Sequence, residues 1–468
     1  MSTQPPISAA GLVPPPGCPA HGMRTDGLVR LPEADDPARL YEQLREQYGP
    51  VAPVLLHGDL PAWLVLGYRE NLDVMRTPSL YSRDSRRWSA FQKGEVPADS
   101  PLMPTVGWQP LCVFTDGEEH ARLRGAVVDG LAQFNRHGMR RYVTHYTHQL
   151  VQRFAASGKA DLVRDYAEQL PMLVVSRLLG MAPDEGPALV EPTLDLMRGS
   201  ETAAASNQTV TEVLHDLVRR KKTTPGNDLA SRLIAHESTL SDTEIVEHLR
   251  LVLVAAHQNT VNLIAHTLRM LLTDSRFRGR LSGGRMTLPD ALEQVMWDSP
   301  PIGVVPGRWA TGNTVLGGQH IKTGDMLLLC IAAANVDPEQ RPHLTVPMHG
   351  NRSHLALSAG PHECPGGDIG RAIADTGIDE LMALLPDMRL TITEDELSTT
   401  SDWLARRPSA LPVTFTPSRS ALAGAARAEV TGAAQPLPEA AVSSHEKKPS
   451  SAPAAAKPRP WWKLFSRR

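Results

Sequence analysis

Residues 355–370 read LALSAGPHECPGGDIG, and the reading of this stretch decides the fold. Cys364 follows a turn containing Gly360 and Pro361, and a helix is expected to start near Pro365. Proline suits a first helical position, where its missing N–H would lack a partner anyway. A sulfur just ahead of a helix faces unpaired N–H groups and the positive end of the dipole, both of which favour thiolate. Gly360 and Gly366 carry no Cβ, so backbone or a flat ligand can approach that sulfur closely. Taken alone, a cysteine before a helix suits a buried structural role equally well, and the surrounding sequence has to decide.

It decides through a resemblance. Residues 356–366, ALSAGPHECPG, resemble the cysteine-loop signature FxxGxHxCxG of cytochromes P450, matching at Gly360, His362, Cys364 and Gly366 and departing at Leu357, where the family has Phe. The resemblance implies that Cys364 is the thiolate ligand of a haem b iron, where axial thiolate favours O–O cleavage, and that His362 reaches a haem propionate. It runs over roughly residues 36–417 and implies a mainly α fold: a helical domain with a smaller β-rich region, the haem lying between a long central helix and the cysteine loop.

Composition agrees with such a protein. The 468 residues suffice to bury a core and a cofactor, and a formal net charge of −3 carries no global nucleic-acid footprint. Four cysteines (Cys18, Cys112, Cys330, Cys364) show neither CxxC spacing nor a disulfide framework. Residues 1–30 lack the apolar segment of a signal peptide, and no apolar run reaches membrane-span length, so a soluble, cytoplasmic protein is expected.

Along the chain, residues 1–35 read as an extended arm, in which Cys18 and His21 fit a solvated turn better than a metal site. Asp36-Pro37 opens a helix that Gly49-Pro50 stops, and a short hairpin follows across His57 to Pro61. Residues 81–110 have no clear period and read as a long functional loop, the segment that covers substrate in the resemblance. In DGEEHARLR, His120 and Arg124 fall four apart on one helical face. The family's HxxxR pair contacts propionates from this helix, whereas a solvated face is the plain alternative. Arg136, Arg140 and Arg141 offer either a docking face for an acidic electron donor or ordinary surface charge.

Residues 134–240 read as successive helices with a core at Leu170, Val174, Val175, Leu178 and Leu179. Ser241 and Glu244 form a capping box for a helix that runs to about Leu272, which resembles the family's haem-crossing helix. There the family has small-small-x-acid-Thr, the acid and alcohol relaying protons to O2. This chain has Ala255, Ala256, His257, Gln258 and Asn259, with Thr260 one residue late, so two amides, Gln258 and Asn259, stand at the catalytic positions. The Glu-x-x-Arg motif is altered too: Glu293 is present and Met296 replaces the arginine; the loop before Cys364 offers His349 and Arg352, and Arg352 is the expected partner, directly or through water. Arg308 aligns with a further propionate ligand. A hairpin region follows to Cys330, and short β segments run to about Phe415.

Residues 418–468 read as a disordered Ala/Pro/Ser-rich tail whose tip, KPRPWWKLFSRR, is basic and aromatic. Weak membrane-surface attachment, partner docking and a merely solvated tail all remain open for it. With no fused flavin or nicotinamide domain, the resemblance implies a monooxygenase acting on a small organic substrate, with electrons from a ferredoxin and its reductase. The two altered motifs leave a second class open, a haem-binding protein with lost or altered O2 chemistry that acts in a complex or as a regulator.

Overall fold

In the computed structural model, residues 28–417 are described, apart from 34–35, 98–99, 135, 199–201, 275–276, 278, 280–282, 285, 349 and 401–402. The tail, Cys18, His21 and His349 therefore lie outside the described residues. Val29 and Leu31 already lie against the body: the Val29 carbonyl accepts from Leu55 N–H at 2.9 Å, and Leu31 is buried.

Local signals act as read. Asp36 accepts from Arg39 N–H and starts α1 (Pro37–Tyr48), which Gly49 ends with φ 81°. β1 (Val51–Leu55) and β2 (Pro61–Val65) pair antiparallel, Val51 opposite Val65. After α2 (Tyr68–Arg76) comes the short strand β3 (Tyr81–Ser82). The stretch to Pro110 is not a plain loop. It contains helical turns at Ser85–Arg87, Ser89–Gln92 and Met103–Val106, because Trp88, Ala90, Leu102 and Val106 find apolar partners beneath the sheet.

The helical body follows with α3 (Gly117–Ala132), α4 (Arg136–Phe154), α5 (Leu170–Leu179), α6 (Glu185–Arg198) and α7 (Ala203–Thr223). All five expected core positions on α5 are buried. Between α4 and α5 the strand β4 (Lys159–Asp161) breaks the run of helices and pairs with a strand near the C-terminal end of the body. The central helix α8 (Asp242–Thr273) spans 32 residues from the expected Ser241–Glu244 capping box. α9 (Leu288–Asp298) packs beside it.

β5 (Val304–Ala310), the hairpin β6 (Thr314–Leu316) and β7 (Gln319–Ile321), and β8 (Met326–Cys330) supply the rest of the β-rich region. One five-stranded sheet has the order β1-β2-β8-β5-β3, with β2 parallel to β8 and a register shift in β5 between Val305 and Arg308. The helix after the cysteine, α10 (Gly367–Leu384), starts at Gly367 and not at Pro365, with Gly366 as its cap. β9 (Arg389–Leu390) and β10 (Pro412–Thr414) complete a second sheet with β4. Among the described residues, no helix is long and apolar enough to cross a membrane.

Candidate cofactor site

The cysteine loop is built from two tight turns, Leu355–Leu357 and Gly360–His362. Gly360 has φ +71°, and a Cβ there would lie 2.7 Å from the Met75 carbonyl oxygen at the end of α2, so glycine is required. Cys364 N–H donates to the Leu357 carbonyl at 2.8 Å. The cysteine is exposed, yet protein surrounds it on the remaining sides. That burial pushes the thiol pKa up, against the Gly366 N–H and the charges of Arg124 and Arg371, which pull it down. The Gly366 N–H thus acts in the direction that favours thiolate, as expected for a sulfur just ahead of α10.

Around this loop the fold gathers cationic side chains from separate elements. His120, buried on α3, and His362, in the loop, lie with ring centroids 4.1 Å apart. His362 Nε2 donates to Asp116 Oδ1 at 3.2 Å, while Asp116 Oδ2 accepts from Ser82 Oγ at 2.5 Å and Arg83 N–H at 2.9 Å. Burial would raise the Asp116 pKa, but these donors outweigh it and hold the carboxyl at about 2. Arg124, one turn beyond His120, donates to the Glu363 carbonyl. Arg308 on β5 is 3% exposed. Its Nε and Nη1, together with His120 Nε2, are buried without a hydrogen-bond partner. Buried donors are seldom left unpaired in a folded protein, so this cluster is shaped for an anionic acceptor. Burial first, and then neighbouring charge, lowers the pKa of both histidines: Arg124 and Arg308 act on His120, and Arg308, Arg83 and His120 act on His362.

Sequence reasoning missed two residues here. Arg83 donates through Nη1 to the carbonyls of Pro306 and Gly307, both at 2.7 Å, and through Nε to that of Val113 at 2.9 Å. It thereby supports the irregular part of β5 just before Arg308. Asp116 immediately precedes α3 and joins β3 to the cysteine loop. Neither role leaves a local sequence signal, since each partner comes from a distant segment.

On α8 the helical period sorts the central run. Val252, Ala255, Ala256, Gln258 and Asn259 are partly exposed, whereas Leu253, His257 and Thr260 are buried. His257 points away from the exposed stripe, its Nε2 bonded to the Glu168 carbonyl at 2.8 Å, and burial lowers its pKa to about 4. Thr260 faces α10, its Oγ1 3.5 Å from where a Cβ on Gly370 would sit. The helix runs unbroken through this region, so Thr260 is not turned onto the stripe that carries Gln258 and Asn259.

Glu293 on α9 has the expected ion pair with Arg352, but its hydrogen bonds go to other residues. Arg352 Nε lies 3.6 Å from Oε1, beyond hydrogen-bond range. The close partners are His354 and Arg371. Arg352 is more exposed, and Arg371 on α10 points straight at the carboxylate.

No family model matches the sequence. Among curated proteins, the chain is 29% identical over 405 residues to 2-hydroxy-5-methyl-1-naphthoate 7-hydroxylase of Streptomyces carzinostaticus, covering 84% of this chain and 98% of that one. It is also 29% identical over 394 residues to vitamin D(3) 25-hydroxylase of Pseudonocardia autotrophica, with 82% and 94% covered. Among solved structures, CYP154A1 from Streptomyces coelicolor A3(2) superposes with TM-score 0.74 at 28% identity, over 83% of this chain and all of the other. CYP154C4 from Streptomyces sp. W2061 gives 0.76 at 26%, over 82% and 97%. The two curated relatives are hydroxylases, and the fold and the cysteine loop are similar to those of haem-dependent monooxygenases. The chain has the cytochrome P450 fold and is similar in sequence, over most of its length, to bacterial cytochromes P450.

Proposed function

We propose that this chain is a haem-thiolate monooxygenase of the cytoplasm that takes electrons from a ferredoxin, itself reduced by a ferredoxin reductase, and places one oxygen atom of O2 into a small organic substrate. Cys364 would ligate the iron of haem b, and His120, Arg124, Arg308 and His362 would hold its two propionates. The observation that carries this is the set of unpaired buried donors on His120 and Arg308 beside the cysteine loop. Those residues come from α3, β5 and the loop, and a dianionic ligand is what they have in common. When bound, haem with an axial thiolate supplies the capacity to cleave O2.

The chain's own residues then govern protons. Gln258 and Asn259 occupy the partly exposed stripe of α8, and amides do not titrate near neutral pH. They can donate N–H bonds that hold a water, but neither can act as a general acid. His257 and Thr260 are turned away, so slow or poorly coupled turnover follows. This same feature favours the second reading, a haem-binding protein whose O2 chemistry is lost or altered and whose role lies in a complex or in regulation. The tip at residues 457–468 would add a weak contact with an anionic membrane surface or another protein.

The deciding experiment is the reduced carbon-monoxide difference spectrum, followed by turnover with ferredoxin and its reductase. A thiolate-type spectrum with product formed in step with reductant supports the monooxygenase. A thiolate-type spectrum without product supports the second reading, and no haem binding overturns both.

A further inference from the structure

One carboxylate grips the cysteine loop on both of its flanks. Glu293 is buried on α9, with its side chain 5% exposed. Its Oε2 lies 2.8 Å from Nε2 of His354, which precedes Cys364. Its Oε1 accepts from Nε of Arg371 at 2.7 Å and its Oε2 from Nη2 at 3.2 Å, and Arg371 follows Cys364 on α10. A charge at this depth requires such partners, and the two-pronged guanidinium fork is the strongest geometry available to it. Burial would raise the Glu293 pKa, but the bonds from His354 and Arg371 outweigh it and keep the group ionised.

The position three residues along α9 from Glu293 is the nearest helical neighbour, and it holds Met296, which is buried and offers no donor. An arginine there would tie Glu293 to its own helix. Here the guanidinium arrives from α10 instead, so the ion pair spans two elements. Between the two anchors the loop has little slack. Cys364 N–H donates to the Leu357 carbonyl, and Leu357 packs on Gly367, where a Cβ would come within 2.8 Å of its Cδ1. The Arg371 guanidinium lies 3.5 Å from the same point. A shift of the first turn of α10 would therefore pass through Gly367 and Leu357 to Cys364.

We infer that Arg371 is the positioning residue of the cysteine loop: its fork on Glu293, acting with His354, clamps α10 to α9 and sets where the Cys364 sulfur sits. Arg352, 64% exposed and 3.6 Å away, is not part of the clamp. The inference rests on Cys364 being the iron ligand, and the wild-type carbonyl spectrum tests that separately: absence of a thiolate-type band in wild type overturns the ligand assignment and not the clamp.

The test uses the haem-loaded full chain as wild type, Glu293→Gln, Arg371→Ala, the double variant, Arg371→Lys and Arg352→Ala. Haem loss to an excess of apomyoglobin, the ferrous-carbonyl band and urea unfolding of the haem-free chain are measured. Arg371→Ala should lose haem at least about tenfold faster, since removing one partner of a buried ion pair is strongly destabilising and part of that loss falls on the haem-bearing loop. Its carbonyl band should move from the thiolate-type to the thiol-type position at urea concentrations where the chain is still folded. The move should exceed that in a variant of equal urea midpoint substituted in the apolar core far from the loop, such as Val210→Ala. The double variant should lose haem no faster than either single variant, because one interaction is removed once. Arg371→Lys should fall between wild type and Arg371→Ala, since an ammonium keeps the charge and loses the fork. Arg352→Ala should match wild type. Wild-type haem retention and band in Arg371→Ala would overturn the inference, as would an equal effect of Arg352→Ala. If Arg371→Ala does not fold, Arg371→Lys decides: an unchanged band and unchanged urea midpoint of the haem-free chain overturn it.

Discussion

Arg83 holds the strand segment that presents Arg308: one nitrogen of Arg83 bonds the carbonyls of both Pro306 and Gly307 at 2.7 Å. Gly307 has φ +89°, and the register of β5 against β8 shifts between Val305 and Arg308. The guanidinium satisfies carbonyls that the interrupted ladder leaves without strand partners. Replacing Arg83 by Ala should cost about 2–3 kcal/mol, the scale of one or two hydrogen bonds from a charged donor. Arg83→Lys should recover little, because a single ammonium cannot reach Val113, Pro306 and Gly307 together. Urea unfolding measures the loss, and equal stability of Arg83→Ala and wild type would refute it.

The site residues should separate by role in haem retention. Cys364→Ala should abolish the thiolate-type carbonyl band and most haem loading. Arg308→Ala should weaken haem binding by roughly 10–100-fold, equivalent to about 1.5–3 kcal/mol for charge-assisted hydrogen bonds. The smaller effect follows because His120, Arg124 and His362 share the load. Full loading with an unchanged Soret band in Cys364→Ala would end the assignment.

Acid should destabilise the chain partly through His257. Burial, with a minor contribution from the charge of Arg407, lowers its folded pKa to about 4, below the ordinary 6.5. The folded state therefore binds this proton less readily than the unfolded state. The associated stability is fully present above about pH 6.5 and is lost as pH falls towards 4, about 3 kcal/mol in all. Urea melts between pH 7 and about 4 should give a shallower slope for His257→Gln, whose amide can still donate to the Glu168 carbonyl. Parallel slopes for the two chains would show that folding does not lower the His257 pKa.

Turnover should respond to the α8 amides in a defined direction. Asp or Glu at position 258 with Thr at 259 should raise product formed per electron consumed, since a positioned acid–base group supplies roughly 10²–10⁴-fold in rate. Asn259→Ala should slow the native enzyme by a small factor only, through loss of a water-holding N–H. Well-coupled native turnover that Asn259→Ala leaves untouched would mean that protons arrive by another route, such as a hydroxyl of the substrate.

The tail tip carries Lys457, Arg459, Lys463, Arg467 and Arg468 interleaved with Trp461, Trp462, Leu464 and Phe465. Each basic residue near an anionic surface contributes on the order of 1 kcal/mol. Full-length protein should co-sediment with phosphatidylserine-containing vesicles, and a chain ending before Lys457 should not. Equal sedimentation of the two would remove the membrane reading.

Much of this protein was determined locally, by residues that act on their near neighbours. Asp36, Ser241 and Gly49 start or stop their helices through bonds and dihedrals within a few residues, and each is legible in sequence. The cysteine loop is equally local, because Gly360, His362, Cys364 and Gly366 fall within one run of seven residues. The stripe of α8 follows from helical period alone, which turns Gln258 and Asn259 one way and His257 the other. What only the tertiary structure decided is which distant side chains meet. Nearness along the chain favoured Arg352 for Glu293, yet packing of α10 on α9 brought Arg371 closer. Likewise Arg83 found Pro306 and Gly307, Asp116 found His362, and β4 found β10. A buried charge or an open strand edge specifies that it must be partnered, but not by whom. That choice depends on which elements the core packs together, and it leaves no periodicity or spacing in the sequence.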